Sequence, residues 1–439
     1  MDKLFVHFIT HGCTANHNNS EIMKGLLSSS GMEVTNNPEL ADIFVINSCV
    51  VKGKVEKKIR KEIVEFSKSG KPVIVAGCMP NVRKKFFEDY HGSKVFPLGT
   101  RDTKSIVSLI TDILNNSVNN NDFLTPNNKV EVKLNTPKIP NNKLVGITQI
   151  LEGCTGHCSF CATKYAKGNV KSYPLEDVIN NVRNDLRNGC KEIWLTSQDN
   201  GAYGIDLYNK HMLPELLSMI TALPGNFRVR IGMMNPDHVL AMLPELLDAY
   251  DNPKVFKFLH LPIQSGSDKV LGDMMRNYSV DEFFLIIDSF KLRFPEIFFS
   301  TDLIVAYPTE SEEDFLKSLS AVKRLSPQVL NPSKYWPMKP APASKLPLLP
   351  SDISRARAVK ISELHLGIAH DYYHSLVGKR LSVLIDNKRK KLGVSGFLGR
   401  CDNYSLIVIP NADKKLLGKF VNVRIVGAKE HYAYGEVVE

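Results

Sequence analysis

The sequence predicts an α/β protein with three parts: an open parallel sheet, a partial barrel of strand–helix units, and a small all-β barrel. Short apolar runs rich in β-branched residues alternate with amphipathic helical patterns over most of the 439 residues, and this alternation is typical of parallel sheets. An asparagine-rich stretch interrupts the alternation once. After a proline-rich segment, only short strand patterns separated by turn residues follow, and they indicate a β-barrel.

The first part, residues 1–114, is predicted to be a Rossmann-like open sheet. Its patterns alternate as strands 4–10, 43–47 and 73–76 and as helices from Ser20 to Leu27 and over 53–67. Strands that are apolar almost throughout belong to parallel sheets buried on both faces. Ser20 is a favourable N-cap residue, so we expect the first helix to begin there.

A cysteine follows each of these three strands: Cys13, Cys49 and Cys78. Ligands of open parallel sheets gather at the carboxyl ends of the strands, so the topology brings the three thiols to one edge. An ordinary buried cysteine would explain any one of them alone. Three cysteines at the same topological position predict a metal-cluster site.

Residues 115–143 are predicted to be a linker or surface segment, because 115–142 contain ten asparagines and little apolar periodicity. In residues 144–374 the alternation resumes. The strands are predicted at 144–150, 191–196, 227–232, 256–261, 299–305 and 328–335, and the helices at 175–188, 212–222, 239–250, 268–275, 281–293, 311–325 and 351–374. Repeated βα units predict a partial barrel whose site lies at the carboxyl ends of its strands.

The strand at 144–150 leads into Cys154, Cys158 and Cys161, which form a C-x3-C-x2-C loop. Three thiolates at this spacing suit a cubane iron–sulfur cluster, which normally takes four protein ligands. One iron then keeps an open position, where a small molecule can bind and accept an electron. A zinc site and three unrelated core cysteines are the alternatives, but structural zinc sites take four ligands, and no second C-x2-C pair follows here.

Together these motifs resemble those of the radical S-adenosylmethionine methylthiotransferases over essentially the whole chain. The matching segments are Thr10 to Asn16, Asn47 to Cys49, Ala76 to Pro80, the loop from Cys154 to Cys161, and His260 to Asp268. Thr14 to Asn16 and the segments 194–204 and 230–236 are most similar to the archaeal and eukaryotic branch of that family.

The resemblance implies two 4Fe–4S clusters, one held by Cys13, Cys49 and Cys78 and the other by the C-x3-C-x2-C loop. It also implies that S-adenosylmethionine binds the open iron of the loop cluster and is cleaved to a 5′-deoxyadenosyl radical. Another S-adenosylmethionine methylates a sulfur held at the first cluster, and the radical activates the substrate for C–S bond formation. A sulfur donor and an electron donor are further partners that the resemblance implies.

The branch implies methylthiolation at C-2 of N6-threonylcarbamoyladenosine, beside the anticodon of tRNA. Isopentenyladenosine in tRNA and an aspartate of a ribosomal protein are alternative substrates. From another class, a non-catalytic iron–sulfur RNA-binding protein also remains open.

Phe160, Gln198, Arg230 and Gln264 are the candidate S-adenosylmethionine contacts, because they lie in the loop or at predicted strand ends. Packing at the rim of the barrel would explain each of them equally well. Arg230 and the amide of Asn235 are also the donors that we expect for the carboxylate of a threonylcarbamoyl group.

The last part, residues 375–439, resembles the TRAM domain that methylthiotransferases use to hold their substrate. Residues 376–439 carry twelve Lys and Arg against six Asp and Glu, a net charge of +6 out of +10 for the chain. A basic β-barrel suits the RNA backbone, and Phe397 and Tyr404 are candidate stacking faces. The alternative is a structural module in which Lys388 to Lys391 form a solvated hairpin tip.

Eight cysteines are too few and too irregularly spaced for a disulfide framework. Six of them are assigned to clusters that oxygen destroys, so we expect a reducing cytoplasmic location. No segment resembles a signal peptide or reaches membrane-spanning length, so we expect no membrane association, and we expect a monomer. Ala306 and Thr309 stand where relatives often have glycine, and any backbone that needs a positive φ there would be strained.

Overall fold

The structure is a computed structural model that describes residues 3–51, 53–90, 92–118, 131–389, 396–410 and 412–438. Five of the ten asparagines of the predicted linker lie outside these ranges, as do Lys390 and Lys391 of the predicted hairpin tip. Single turns of 3-10 helix lie at Pro38–Leu40, Thr103–Ser105, Asn200–Ala202, Pro342–Lys345 and Lys414–Leu416.

The first domain is a parallel sheet flanked by helices. Its elements are β1 (Phe5–Thr10), α1 (Thr14–Ser29), β2 (Glu33–Thr35), β3 (Ile43–Ser48), α2 (Gly53–Ser67), β4 (Val73–Gly77), α3 (Cys78–Val82), α4 (Lys84–Glu88), β5 (Val95–Gly99) and α5 (Ile106–Leu114). The strand order is β2-β1-β3-β4-β5, and every neighbouring pair is parallel. β3 and β4 are buried along their whole length, as their mostly apolar sequence predicts. The predicted open sheet is confirmed, and β2 and β5 extend it at its two edges.

Helix α1 begins earlier than the sequence predicts. Cys13 is its N-cap residue, with extended backbone angles, whereas Ser20 is fully buried inside the helix. The Ser20 hydroxyl bonds Thr10 Oγ1 at 2.8 Å and accepts a hydrogen bond from Asn47 Nδ2 at 2.8 Å. The prediction of Ser20 as the N-cap was wrong, because this face of α1 packs on the sheet through polar contacts that leave no apolar periodicity.

The second domain is built from βα units. Its elements are β6 (Val145–Gln149), β7 (Leu151–Glu152), α6 (Thr163–Lys167), β8 (Lys171–Ser172), α7 (Leu175–Arg187), β9 (Glu192–Thr196), α8 (Ile205–Tyr208), α9 (Leu213–Thr221), β10 (Arg228–Ile231), α10 (Pro236–Leu240), α11 (Leu243–Tyr250), β11 (Phe258–His260), α12 (Asp268–Asp273), α13 (Val280–Arg293), β12 (Phe298–Val305), α14 (Glu312–Leu325), β13 (Val329–Lys334) and α15 (Ser351–His374). The parallel strands pair as β6-β9-β10 and as β11-β12-β13, and a parallel bridge from Val229 to Val255 joins the two runs. The predicted partial barrel is confirmed.

Residues 131–143, at the end of the asparagine-rich stretch, are packed between the first two domains. Lys133 and Leu134 are buried, and the Ile139 N–H donates to the Glu21 carbonyl at 2.9 Å. Lys138 Nζ lies 2.9 Å from Asp185 Oδ2. This stretch is therefore integral to the domain boundary, since its lysines have partners that composition cannot reveal.

The third domain is a closed five-stranded barrel. Its strands are β14 (Arg380–Arg389), β15 (Gly396–Cys401), β16 (Leu406–Pro410), β17 (Phe420–Lys429) and β18 (Tyr432–Val438). Their order around the barrel is β14-β15-β16-β18-β17. Phe397 and Tyr404 are only 5% and 7% exposed and belong to the barrel core. The prediction that they stack on RNA was wrong, because their rings are used in packing.

Candidate active site

The first thiol site lies at the carboxyl edge of the N-terminal sheet. Thr10 is in register with Asn47, and Ser48 with Gly77, so β1, β3 and β4 end side by side. The three cysteines come at or just after these ends: Cys13 lies three residues after β1 and caps α1, Cys49 follows β3, and Cys78 opens α3. The prediction that the topology would gather them at one edge is confirmed by these positions.

Gly12 allows a close approach of two of these loops. Its φ is +110°, and a Cβ atom there would lie 2.9 Å from Cys49 Cβ and 3.2 Å from Cys49 Sγ. Only glycine fits this position, because a side chain would meet the cysteine and the backbone conformation is unfavourable for other residues. The loop after β1 therefore lies against the loop after β3.

The three thiols share an environment that is buried on one side and open on the other. Cys78 is 5% and Cys49 is 8% exposed, whereas Cys13 is exposed. Burial raises the pKa of the Cys78 thiol to about 12, Lys167 opposes this shift, and the neighbouring Cys13 and Cys49 add to it. Such a thiol is neutral at pH 7 and gives up its proton when a metal binds.

The second thiol site is the loop between β7 and α6. The Gly156 N–H donates to Cys154 Sγ at 3.3 Å, and Arg276 Nη1 donates to Cys158 Sγ at 3.1 Å. A Cβ atom at Gly156 would lie 3.5 Å from Cys154 Sγ and 3.6 Å from Cys158 Sγ. The loop thus wraps around Gly156 with its sulfur atoms close together.

Burial and charge set the protonation of this loop. Burial raises the pKa of Cys154 to about 12, and the carboxylate of Asp199 raises it further. Burial also raises the pKa of Cys158, although the Arg276 guanidinium opposes this. The Arg276 guanidinium therefore places a positive charge beside the sulfur atom of Cys158.

Phe160 and Gln198 both lie at the cluster loop. Gln198 Oε1 accepts a hydrogen bond of 2.8 Å from the N–H of Gly153, the residue before Cys154. Phe160 packs with Ile304 and Tyr335 against a small apolar cluster that includes Tyr307. These contacts hold the loop in position, and direct contact of either residue with S-adenosylmethionine remains a prediction.

Gln264 and Arg230 are placed differently. Gln264 lies at the carboxyl end of β11 in a left-handed conformation with φ of +63°, and its N–H donates to the Asp302 carbonyl at 2.9 Å. The Arg230 guanidinium lies over the rings of Trp194, Phe258 and Tyr404 at 5.5, 4.8 and 5.3 Å. Arg230 thus joins the second domain to the C-terminal barrel, and its contact with S-adenosylmethionine remains a prediction.

A network that the sequence did not single out adjoins the cluster loop. Asp199 is fully buried and accepts from the backbone N–H of Asn235 at 3.0 Å and from its Nδ2 at 2.5 Å. His238 Nε2 lies 3.6 Å from Asp199 Oδ2 and 2.8 Å from the hydroxyl of Thr155 in the loop. Arg276 Nη2 donates to Asn235 Oδ1 at 2.5 Å. The Asn235 amide is therefore already occupied by protein groups.

Buried ion pairs join the two thiol sites. Lys133 Nζ lies 3.1 Å from Glu152 Oε2, and Lys167 Nζ lies 3.0 Å from Glu152 Oε1. All three side chains are at most 1% exposed. Burial alone would raise the pKa of Glu152, but the two lysines outweigh it and lower that pKa to about 2. Lys167, which influences Cys78, therefore pairs with a residue that stands two positions before Cys154.

The two sets of cysteines carry the donor atoms that an iron–sulfur cluster takes. Thiolate donors select iron–sulfur clusters or zinc. Among the residues that the structure describes, no three or more His, Cys, Asp or Glu side chains are placed to hold one metal ion together. A cubane binds each thiolate through a different iron, so its thiols need not converge on one point.

Three family models match consecutive parts of the chain. Residues 5–96 match the uncharacterized protein family UPF0004, residues 148–322 match the radical SAM superfamily, and residues 374–438 match the TRAM domain. The partial barrel and its C-x3-C-x2-C loop thus define a radical S-adenosylmethionine enzyme.

The similarity to curated relatives extends over the full chain. A protein of Pyrococcus horikoshii named probable threonylcarbamoyladenosine tRNA methylthiotransferase is 38% identical, and the match covers 99% of each chain. A Drosophila melanogaster protein, named threonylcarbamoyladenosine tRNA methylthiotransferase, is 34% identical and is matched over 100% of this chain and 78% of its own length. The chain belongs to the radical S-adenosylmethionine methylthiotransferase family.

Solved structures support the fold alone. The radical S-adenosylmethionine methyltransferase TsrM from Kitasatospora setae, solved with its tryptophan substrate and an S-adenosylmethionine analogue, aligns with a TM-score of 0.57 and 14% identity over 78% of this chain and 75% of its own. Within the described part of the chain, no helix is both long enough and apolar enough to cross a membrane.

Proposed function

We propose that the protein methylthiolates C-2 of N6-threonylcarbamoyladenosine in tRNA. The observation that carries this proposal is the pair of three-cysteine sites, one on the sheet edge and one on the barrel loop, linked through Glu152. One site suits cleavage of S-adenosylmethionine, and the other suits the holding of a sulfur atom. The curated relatives cited above carry the name of this activity over nearly the full length of the chain.

We assign Cys154, Cys158 and Cys161 to one 4Fe–4S cluster and Cys13, Cys49 and Cys78 to another. When bound, the clusters and S-adenosylmethionine supply the electron, the methyl group and the radical that an unactivated aromatic carbon requires. Reductive cleavage and sulfur insertion further imply an electron donor and a sulfur donor as partners. Because such clusters are sensitive to oxygen, we place the protein in a reducing cytoplasm.

The residues of the chain position this chemistry. Gln198 fixes the start of the cluster loop through the Gly153 amide, and Arg276 donates to Cys158 Sγ. Hydrogen bonds to cluster sulfurs are one of the factors that set a cluster's reduction potential. Asp199 and Asn235 in turn hold Arg276 in place. The protein thus preorganises the loop before substrate arrives.

The substrate assignment is tested by offering two tRNAs to the reconstituted enzyme. One carries threonylcarbamoyladenosine and the other isopentenyladenosine, and the nucleosides are analysed by mass spectrometry. We expect the methylthio product only from the first, because the curated relatives that match nearly the full chain are named for activity on threonylcarbamoyladenosine. Product only from the isopentenyl tRNA would reverse the assignment.

The cluster assignment is tested by the iron content after anaerobic reconstitution. We expect about eight irons per chain, in two cubanes of four. Replacing Cys154, Cys158 and Cys161 by alanine should halve the iron content and abolish S-adenosylmethionine cleavage. Replacing Cys13, Cys49 and Cys78 should also halve it but leave cleavage measurable.

Cys190→Ala serves as the matched control, because Cys190 is a buried cysteine, 7% exposed, that belongs to neither site. Its iron content should equal that of the wild type. An unchanged iron content in the variant lacking Cys13, Cys49 and Cys78 would rule out the second cluster.

A further inference from the structure

We propose that Trp336 and the exposed lysines around it form a platform on which unpaired bases of the RNA substrate stack beside the target nucleotide. This inference rests on the proposed function, because it names a substrate-contacting surface of the same site. In the described part of the chain, Trp336 is 49% exposed. We call this surface the Trp336 platform; its members are Trp336, the exposed lysines that flank it in sequence, Lys334 and Lys339, and the exposed lysines of the first turn of α2, Lys54 and Lys57.

The platform lies at the seam between the two thiol sites. Trp336 follows β13, whose carboxyl end is at the open rim of the barrel. A Cβ atom at Gly53, the first residue of α2, would lie 2.4 Å from Trp336 Cε2, so the indole touches the start of α2. Gly53 is four positions after Cys49 in the sequence.

The adjacent residue connects the platform to the other thiol site. Tyr335 packs in the same small cluster as Phe160, which stands next to Cys161 in the cluster loop. On one side, Trp336 contacts Gly53, four positions after Cys49. On the other side, its neighbour Tyr335 packs with Phe160, next to Cys161. A base stacked on its ring would be close to the place where both sites must act on one nucleotide.

The exposure of this ring is unusual for a tryptophan. An indole carries a large apolar surface, and tryptophan is enriched at interfaces, where part of its ring is packed and part is open to a partner. The other tryptophan of the chain, Trp194, donates a hydrogen bond to Glu192 and lies beside Arg230. Trp336 instead presents its ring at the rim of the barrel.

The charges around the ring are positive. Lys57 Nζ lies 5.8 Å from the centre of the Trp336 ring, and the other lysines of the platform are also exposed. The nearby carboxylate of Glu56 is neutralised by Arg60 at 2.7 Å and by Arg83 at 3.0 Å. The platform thus combines one exposed aromatic face with exposed ammonium groups.

This combination fits single-stranded RNA. Sequence-specific recognition of RNA targets loops whose unstacked bases lie on aromatic side chains, while cations contact the backbone. A duplex hides its base faces and would engage the lysines alone. The nucleotide to be modified lies beside the anticodon in the proposed substrate, and a loop of this kind supplies such bases.

The first test uses the fluorescence of Trp336. The chain has two tryptophans, so Trp194→Phe leaves Trp336 as the only reporter. Titrating this reconstituted variant with an anticodon stem-loop RNA should quench the emission strongly, because stacked bases quench indole. The reciprocal variant Trp336→Phe, which keeps Trp194, should show little quenching. Equal quenching by a blunt RNA duplex would overturn base stacking at this site.

The second test measures affinity for the same RNA. Trp336→Ala should weaken binding about tenfold, because stacking on an aromatic residue contributes that much or more per base, and Trp336→Tyr should restore most of it. Lys68→Ala, just past the other end of α2, is the matched control and should bind like the wild type. The iron content of each variant checks that it folds and holds its clusters.

These results separate the inference from the proposed function. A wild-type enzyme that methylthiolates neither tRNA would refute the proposed function, whereas the quenching experiment would still report on the Trp336 platform. Conversely, wild-type affinity in Trp336→Ala, together with normal product formation by the wild type, would overturn the platform alone.

Discussion

At the scale of single residues, Ala306 shows how the turn next to the cluster loop is held. Its φ is +57°, a conformation that glycine adopts readily and alanine does not. The Ala306 N–H donates to Glu310 Oε2 at 2.7 Å, and Arg357 Nη1 lies 2.6 Å from the same oxygen. The strain expected from the sequence is therefore present at Ala306, whereas Thr309 has no positive φ.

Ala306→Gly should stabilise the protein by about 0.5 to 1 kcal/mol. Relief of the left-handed strain gains about 1–2 kcal/mol, and the greater freedom of glycine in the unfolded chain offsets about half of it. Urea unfolding of the reconstituted variant measures the difference. Ala321→Gly within α14 is the control and should destabilise by about 1 kcal/mol; a loss of stability in both variants would contradict the strain.

Single residues also mark where sequence reasoning stopped. The six cysteines were predictable because their positions follow from strand ends and from spacing. Arg276 and Asp199 were not singled out, because each is an ordinary charged residue until the fold places it beside a cysteine. Arg230 was assigned to the site from its strand-end position, but its guanidinium lies over the Tyr404 ring of the C-terminal barrel. A strand pattern in the sequence does not determine what the side chain at the end of the strand contacts.

At the scale of elements, helix α14 is fixed at its start by a capping box. The Ser311 hydroxyl accepts from the Asp314 N–H at 3.1 Å, and Asp314 Oδ2 accepts from the Ser311 N–H at 3.0 Å. Asp314 also accepts from the Ser267 hydroxyl at 2.6 Å and from Lys269 Nζ at 3.2 Å. Burial disfavours its ionised form, but these donors prevail and lower the pKa of Asp314 below its usual range.

Asp314→Asn should destabilise the protein by about 1–2 kcal/mol at pH 7, because a charged acceptor with several donors is lost. A carboxyl group with a lowered folded pKa stabilises above its unfolded pKa, near 4, and this contribution is lost as the pH falls toward the folded pKa. The difference from the wild type should therefore be constant from pH 8 to about 5 and shrink below about 4.

Unfolding curves over this pH range measure the effect. Glu282→Gln in the capping box of α13, whose carboxylate accepts from the Ser279 N–H at 2.7 Å, is the control. Glu282→Gln should lower the free energy of unfolding less than Asp314→Asn does, because the hydrogen bond between Ser279 and Glu282 is exposed to solvent. An equal loss in the two variants would contradict a special role for Asp314.

The elements themselves were largely predictable. Buried parallel strands such as β3 and β4 have a mostly apolar sequence, and helices such as α13 and α14 have clear periodicity and capping residues. The start of α1 was missed because it packs polar residues on the sheet. Propensity and periodicity locate an element only where its buried face is apolar.

At the scale of the whole molecule, the C-terminal barrel is docked on the second domain through aromatic packing. The Tyr404 ring lies 4.9 Å from those of both Phe256 and Phe258, and Arg228 Nη2 lies 3.0 Å from Asp402 Oδ1. Removing the barrel would expose this apolar surface. RNA binding by the barrel is therefore better tested by neutralising its surface charge than by truncation.

The triple variant Lys414→Gln, Lys415→Gln, Lys419→Gln should bind tRNA more weakly while keeping its stability. All three lysines are exposed. Each one that contacts a phosphate should reduce the slope of log affinity against log salt concentration by about 0.7 to 0.9. Binding of tRNA at several salt concentrations measures this slope. Lys323→Gln, exposed on α14, is the control, and identical slopes for all variants would show that the barrel is purely structural.

Glu152 limits how this chain could be recombined with its relatives. Its carboxylate balances one lysine from the stretch before the barrel and another from the helix after the cluster loop. A chimera that brought an apolar residue to position 133 or 167 would remove one of the two donors to the buried carboxylate, and a chimera that lost both lysines would leave the charge of Glu152 uncompensated inside the protein, at a cost of about 3–5 kcal/mol. Lys133, Glu152 and Lys167 must therefore come from the same parent. A crossover that separates these residues would destabilise the hybrid protein where its two thiol sites meet, even if each half folded correctly.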